Sequence, residues 1–374
     1  MLKAEAAPLI AVKSKEGELE ALTNTSEING HVRIMVELIG NLAPAGGNAK
    51  KVVDAAVQAA LSGNPLWIDT TWLTSDTPFG GSVHEVLEQL DHDIEDNLNE
   101  RLHEFDGPCL IPVVPAQADL KELHPARMLL EHQHRPVVIR ARNVAAGRDL
   151  ADAIEYVATV LRLAPEDLHV VLDEAYTPAV HEHHVDALAH RIDGLSGLNC
   201  ASMTVLAGST PLKRANFETR TRPRPEVLLR DAVQRYSRRA LAYGDYGVVH
   251  PIPHLSKGAA RSPNPYIHYT VPGETLSIAR RIPNRVNGAP PRGASEHYFR
   301  EVADELVGRS EFAGPKFSWG DRVLDSCMST PITPIGRSTK WIALATSHHV
   351  VHLARRLDNE RPETTHEGGT TPSR

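Results

Sequence analysis

Short apolar runs alternate with segments whose apolar residues recur at helical spacing, and the alternation repeats from residue 8 to residue 253. Residues 8–12 (PLIAV) predict a first strand closing on Lys13, with a helix over EGELEALT behind it. Residues 32–38 (VRIMVEL) predict a second strand carrying Glu37 near its end, followed by the helical pattern KKVVDAAVQAALS. The third, 65–70 (PLWIDT), ends on Asp69 and precedes the long polar helix HEVLEQLDHDIEDNLNERLHEF. Then come 109–114 (CLIPVV) with the helix LKELHPARMLLEH, and 136–140 (PVVIR), ending in Arg140 and Arg142, with DLADAIEYVATVLRL. The sixth, 169–173 (HVVLD), ends in Asp173-Glu174 before VDALAHRIDGL. The seventh, 202–207 (SMTVLA), leads to Ser209 and Thr210 and then to the basic helix EVLLRDAVQRYSRRA. The eighth lies in LAYGDYGVVHPIP, with Asp245 between two glycines and His250-Pro251 at its close.

These strands are apolar almost throughout, the pattern of a parallel sheet covered on both faces. Eight strand–helix units fit a closed (β/α)₈ barrel of the TIM type better than an open sheet. Beyond residue 253 the pattern changes. PYIHYTVPGETLSIARR predicts a hairpin turning at Pro272-Gly273, and the segments SEHYFREVADELVG and ALATSHHVVHLARRL predict helices. The chain therefore divides into a barrel over 1–255, an α+β extension over 256–357 and a polar tail over 358–374, the last expected to be disordered.

Length and composition agree with this picture and narrow the function. The 374 residues suit one barrel plus an appendage, and 41% hydrophobic against 23% charged residues excludes wholesale disorder. The formal net charge of −7 means that contact with a polyanion needs a local basic patch. Three widely spaced cysteines, Cys109, Cys200 and Cys327, make no CxxC pair, which fits a reducing compartment and speaks against a thiolate zinc site. No apolar run approaches a membrane span, so the expectation is a cytoplasmic protein with no membrane partner.

In a (β/α)₈ barrel the functional residues gather at the C-terminal strand ends. That rule collects Lys13, Glu37, Asp69, Arg140, Arg142, Asp173, Glu174, Ser209, Asp245 and His250. Glu37, Asp69 and Asp173 are the candidate ligands of a divalent metal, Mg²⁺ or Mn²⁺, because hard cations take oxygen ligands. Lys13, Arg140 and Arg142 are the candidate phosphate contacts. Glu37, Asp69, Asp173, Asp245 and His250 together form the candidate catalytic set, for which metal-assisted phosphodiester cleavage is the natural chemistry. The alternative is that these charges pair across the rim and only hold the loops. A small-molecule reaction of the aldolase or isomerase kind is a third reading.

Other motifs carry less. His181, His183 and His184 crowd a helix start without the i, i+4 spacing of a metal pair. His348 and His352 have that spacing, but His349 stands where a zinc protease needs glutamate, so hydrogen-bonded packing is the favoured role. No GxxxxGK[ST], GxGxxG or GxSxG segment is present. Barrel phosphodiesterases of the glycerophosphodiester type carry His-Arg after the first strand and Glu-x-Asp after the second. Lys13-Ser14 and Glu37-Leu38-Ile39 rule out that template. Arginines at 214, 220, 222, 224, 230, 235, 238, 239, 280, 281, 285 and 292, with Lys213, are interleaved with Tyr236, Tyr243, Tyr246, Tyr266 and Tyr269. Such a mixture suits a nucleotide or single-stranded nucleic acid, and equally a solvated salt-bridged surface.

Several of these stretches, taken together up to about residue 357, resemble the beta protein family of phage and bacterial proteins. They are PLIAVKSKEGELEAL, the acidic end of RIMVEL, GDYG followed by His-Pro, the PYIHYT hairpin, and Trp341 with His348-His349. Trp341 is followed by Ile342 where the family pattern leads us to expect arginine. The resemblance implies a phage-conflict or mobile-element setting and supplies no catalytic residues. The resulting expectation is a component of an antiphage defence system acting on nucleic acid or a nucleotide at the barrel rim, with a protein partner in a defence complex. The competing expectation is a non-catalytic barrel scaffold that binds a partner protein.

Overall fold

The computed structural model describes residues 7–25, 31–40, 48–73, 83–100, 107–142, 150–212, 216–253, 264–283, 290–327 and 335–359. In chain order the elements are β1 (Leu9–Lys13), α1 (Glu16–Thr23), β2 (Arg33–Ile39), α2 (Asn48–Leu61), β3 (Leu66–Trp72), α3 (Val83–Glu100), β4 (Leu110–Pro115) and α4 (Leu120–His132). They continue with β5 (Val137–Arg142), α5 (Leu150–Leu161), β6 (Leu168–Tyr176), α6 (Glu182–Gly194), β7 (Ser202–Gly208), β8 (Thr219–Pro223), α7 (Pro225–Gln234) and β9 (Ala242–Asp245). The remainder is β10 (Tyr266–Val271), β11 (Glu274–Ala279), α8 (Ala294–Val307), α9 (Trp319–Ser326) and α10 (Ser338–Asn359).

Seven parallel strands and β9 close into a barrel in the order β1-β2-β3-β4-β5-β6-β7-β9, so the (β/α)₈ architecture holds. Alternation along each strand sorts the side chains into two cores. Outward residues such as Ile10, Val12, Ile34 and Ile68 pack beneath α2 and α3, and Val137, Ile139, Val170 and Val205 beneath α4 to α7. Inward residues Leu9, Ala11, Met35, Trp67, Ile111, Val113, Val138, Val171, Leu206 and Tyr246 fill the barrel. Its N-terminal end is plugged by Arg33, Trp67, His169 and Ser202. Arg33 donates to Ser202 Oγ at 2.6 Å and lies over the Trp67 ring, which stacks on His169 at 5.3 Å. The loops that enter the helices use ordinary local chemistry. Asp119, for example, forms a capping box with Glu122 at the start of α4.

Two features differ from the sequence reading. The basic stretch after β7, expected to be loop, contains strand β8, which joins β10 and β11 in a three-stranded antiparallel sheet of order β10-β11-β8. Its TRTRP sequence has no apolar alternation to announce it, because both faces are largely exposed. The sheet is therefore built across the division at residue 255. The second difference is α10, which starts earlier than its apolar pattern suggests and leans on the barrel. Val350, Leu353 and Ala354 of α10 share a core with Ile10, Leu19 and Tyr243. A Cβ on Gly17 of α1 would collide with the Thr339 carbonyl of α10, so the two backbones touch. The helix that covers the β9–β1 seam thus comes from the far end of the chain. Residues 360–374 of the expected tail, with His254, Lys213, Arg214 and Arg285, lie outside the described residues.

Candidate functional site at the barrel mouth

The top interior layer of the barrel is charged. Lys13, Glu37, Asp69, Arg140 and Asp173 are the inward residues at the C-terminal ends of β1, β2, β3, β5 and β6, and all are buried. Parallel register sets them side by side: Lys13 opposite Glu37, Glu37 opposite Asp69, and Arg142 opposite Asp173.

Arg140 is the hub. Its guanidinium donates to Asp69 Oδ2, to Glu37 Oε1 at 2.8 Å, to Asp173 Oδ2 at 2.8 Å and to the Tyr246 hydroxyl at 2.7 Å. Tyr246 in turn donates to Asp173 Oδ1 at 2.7 Å. Asp69 and Asp173 each use Oδ1 to accept the backbone N–H two residues on, from Thr71 at 2.8 Å and Ala175 at 2.9 Å, where the regular register of each strand is interrupted before its last residues. Burial pushes the Glu37 carboxyl up, but the charges of Arg140, Lys13 and Arg142 overcome this and hold it below the usual carboxylate range. The guanidinium of Arg140 stands where a cation shared by Glu37, Asp69 and Asp173 would stand. Among the described residues no His, Cys, Asp or Glu cluster is arranged around an open metal position.

The other two cations are less satisfied. Lys13 is 1% exposed; its Nζ is 3.5 Å from Glu37 Oε2 and 5.2 Å from the centre of the Tyr246 ring, and it makes no hydrogen bond. Arg142 donates from Nε to Asp173 at 3.1 Å and lies over Trp72 at 4.6 Å, while both of its terminal nitrogens lack a hydrogen-bond partner. Glu37 accepts from the Trp72 indole at 3.1 Å. Buried nitrogens of this kind are costly unless something accepts from them.

The remaining rim residues fall elsewhere. Asp245 belongs to a neighbouring network in which it accepts from Arg224 Nη2, from the Tyr243 hydroxyl at 2.6 Å and from Gly247 N–H at 2.8 Å. His349 of α10 reaches it at 2.8 Å and meets Thr270 Oγ1 of β10 at 2.7 Å, so this network ties barrel to extension. Burial pushes the Asp245 carboxyl up, and His349 and Arg224 bring it well below the ordinary value. His250 sits on the outer rim against Tyr176, with ring centres 4.8 Å apart. Glu174 is engaged outside the layer, by His184 at 2.7 Å and Arg191 at 2.8 Å. Ser209 and Thr210 hold Arg222.

The aromatic reading needs correction. Tyr243, Tyr246 and Tyr269 are buried and hydrogen-bonded rather than offered to a ligand, since each hydroxyl closes a polar network. His348 is bonded to Asp321 at 2.9 Å and to the Thr270 carbonyl at 2.8 Å, the hydrogen-bonded packing that its sequence context favours. Sequence reasoning did not name Trp72, and it named Arg224 and His349 without bringing them to Asp245. Trp72 had a signal, because β3 simply runs on through Thr71, whereas nothing local links His349 to Asp245.

A search of curated proteins returns no match. Among solved structures, one described as a candidate dehydrogenase from Xanthomonas campestris aligns over 69% of this chain and 100% of its own, at 12% identity and a TM-score of 0.23, a similarity too low to bear on fold or activity. The family comparison is decisive by contrast: the Beta protein model matches residues 8–355, almost the whole described chain, and this protein belongs to the Beta protein family.

Proposed function

We propose that the barrel mouth binds a phosphorylated ligand, a nucleotide or the end of a nucleic acid, in a phage-conflict or antiphage defence setting. One observation carries the ligand: Lys13 Nζ and the two terminal nitrogens of Arg142 are buried at the mouth without hydrogen-bond acceptors. Phosphate oxygens satisfy a guanidinium fork and an ammonium together. The defence setting rests on family association alone. Metal-assisted cleavage at the same place requires Arg140 to yield its position between Glu37, Asp69 and Asp173 to Mg²⁺ or Mn²⁺. In that event Lys13 and Arg142 orient the phosphate, and the three carboxylates hold the ion.

The second reading, a scaffold that binds a partner protein, is favoured by the completeness of the Arg140 network. Three buried acids from three strands are already paired with it, which suits a frame. Lys13→Gln and Arg142→Gln separate the two. In the ligand reading either substitution weakens adenosine 5′-monophosphate binding at least about ten-fold, by loss of a charged hydrogen bond, while the fold survives. Unchanged nucleotide binding in both variants, or none in the unsubstituted protein, leaves the scaffold reading in its place.

A further inference from the structure

β6 does not end where its register ends. Pairing with β7 shifts between Asp173 and Tyr176, and Ala175 in between adopts a left-handed conformation with φ of 49°. L-residues with a side chain avoid that region, so the bulge is held in place, here by the Ala175 N–H donating to Asp173. Asp173 is the same residue that Arg140, Arg142 and Tyr246 hold. The consequence is a change of aim: Asp173 faces the barrel interior, and Tyr176 is brought to the rim, 37% exposed. There its ring packs on His250, whose Nδ1 accepts the Ile252 N–H at 3.2 Å. Ile252 beside it is 45% exposed. Arg222 lies close enough to Tyr176 to interact electrostatically and is fixed by Ser209 and Thr210, with its Nε unpartnered. An aromatic pair with an arginine alongside is a platform for a flat ring next to phosphate.

We infer that the Tyr176–His250 stack is the base-recognition subsite of the mouth, receiving the planar ring of a nucleotide whose phosphate sits on Lys13 and Arg142. This rests on the phosphate reading above and adds the half of the ligand that reading leaves unspecified. The reach is right. Arg142 lies opposite Asp173, and across the bulge Tyr176 comes opposite Gly208, two residues beyond the partner of Asp173 on β7, so the two ends are separated by about 7 Å of strand, the reach from phosphate to base in a nucleotide. Charge decides against an apolar peptide as occupant, since Arg222 stands beside the stack and Arg142 waits at the phosphate end.

The test compares ribose 5-phosphate, adenosine 5′-monophosphate and a 5′-phosphorylated thymidine hexamer by calorimetric titration of the full-length chain. The unsubstituted protein binds the two base-bearing probes about ten-fold more tightly than ribose 5-phosphate. Tyr176→Ala removes that preference and leaves ribose 5-phosphate binding within about two-fold, whereas Tyr176→Trp keeps it, which separates stacking from folding. A response of adenosine 5′-monophosphate alone assigns the subsite to free nucleotides, and a response of the hexamer assigns it to a strand end. Equal binding of all three probes, or a preference that survives Tyr176→Ala, overturns the subsite while the phosphate site stands. Absence of all binding, or binding indifferent to Arg142→Gln, overturns both.

Discussion

At the scale of single residues, the mouth is a balance among Lys13, Arg140 and Arg142 on one side and Glu37, Asp69 and Asp173 on the other. Removing the hub unbalances it. Arg140→Ala leaves three buried carboxylates without their common partner and is expected to cost about 3–5 kcal/mol, read as a lowered urea midpoint. Acid acts on the same layer. The Glu37 pKa is lowered in the fold, so its contribution is complete above the unfolded value of about 4 and is lost as pH falls below it. His169, at the opposite end of the barrel, acts earlier. Burial and the neighbouring Arg33 push its pKa down to about 4. The unfolded chain takes up that proton from about pH 6.5, so stability declines between there and pH 4. His169→Gln should flatten this slope in denaturation curves measured at fixed pH, and an unchanged slope would mean that other groups set it. The six mouth residues could be named from the sequence because strand ends are visible in it. Their arrangement around Arg140 could not, because which acid meets which cation depends on barrel register.

At the scale of elements, the seam between β9 and β1 depends on α10, and α10 depends on glycine. Gly17 of α1 faces the Thr339 carbonyl and Gly320 of α9 faces the Leu344 carbonyl, both so closely that a Cβ has no room. Backbone cannot move aside as a flexible side chain can. Gly17→Ala and Gly320→Ala are each expected to destabilise by about 1–3 kcal/mol, far more than alanine costs at Gly194, where nothing crowds the position. Thermal melts of the three variants would show it, and equal shifts would contradict the close packing. The barrel strands were legible because their apolar runs have one structural meaning when helices alternate with them. β8 was not, since an exposed TRTRP edge carries no burial pattern and takes its strand state from β11.

At the scale of the molecule, barrel and extension interlock. α10 completes the barrel's outer core, β8 leaves the barrel to complete the extension's sheet, and Asp245 joins them through Arg224 and His349. A chain ending at residue 253 loses Val350, Leu353 and Ala354 from that core and should not fold, whereas the whole chain should unfold in a single transition by far-UV and near-UV circular dichroism together. The charged layer of the mouth is buried beneath rim side chains such as Tyr176 and Ile252 that are exposed. The claim that this mouth is a phosphate site is tested most directly by a crystal of the protein soaked with adenosine 5′-monophosphate and Mn²⁺. The account predicts phosphate density within hydrogen-bond reach of Lys13 Nζ and the Arg142 guanidinium. A mouth without phosphate, with Lys13 and Arg142 bonded to protein oxygens instead, would contradict it and leave a scaffold as the better description.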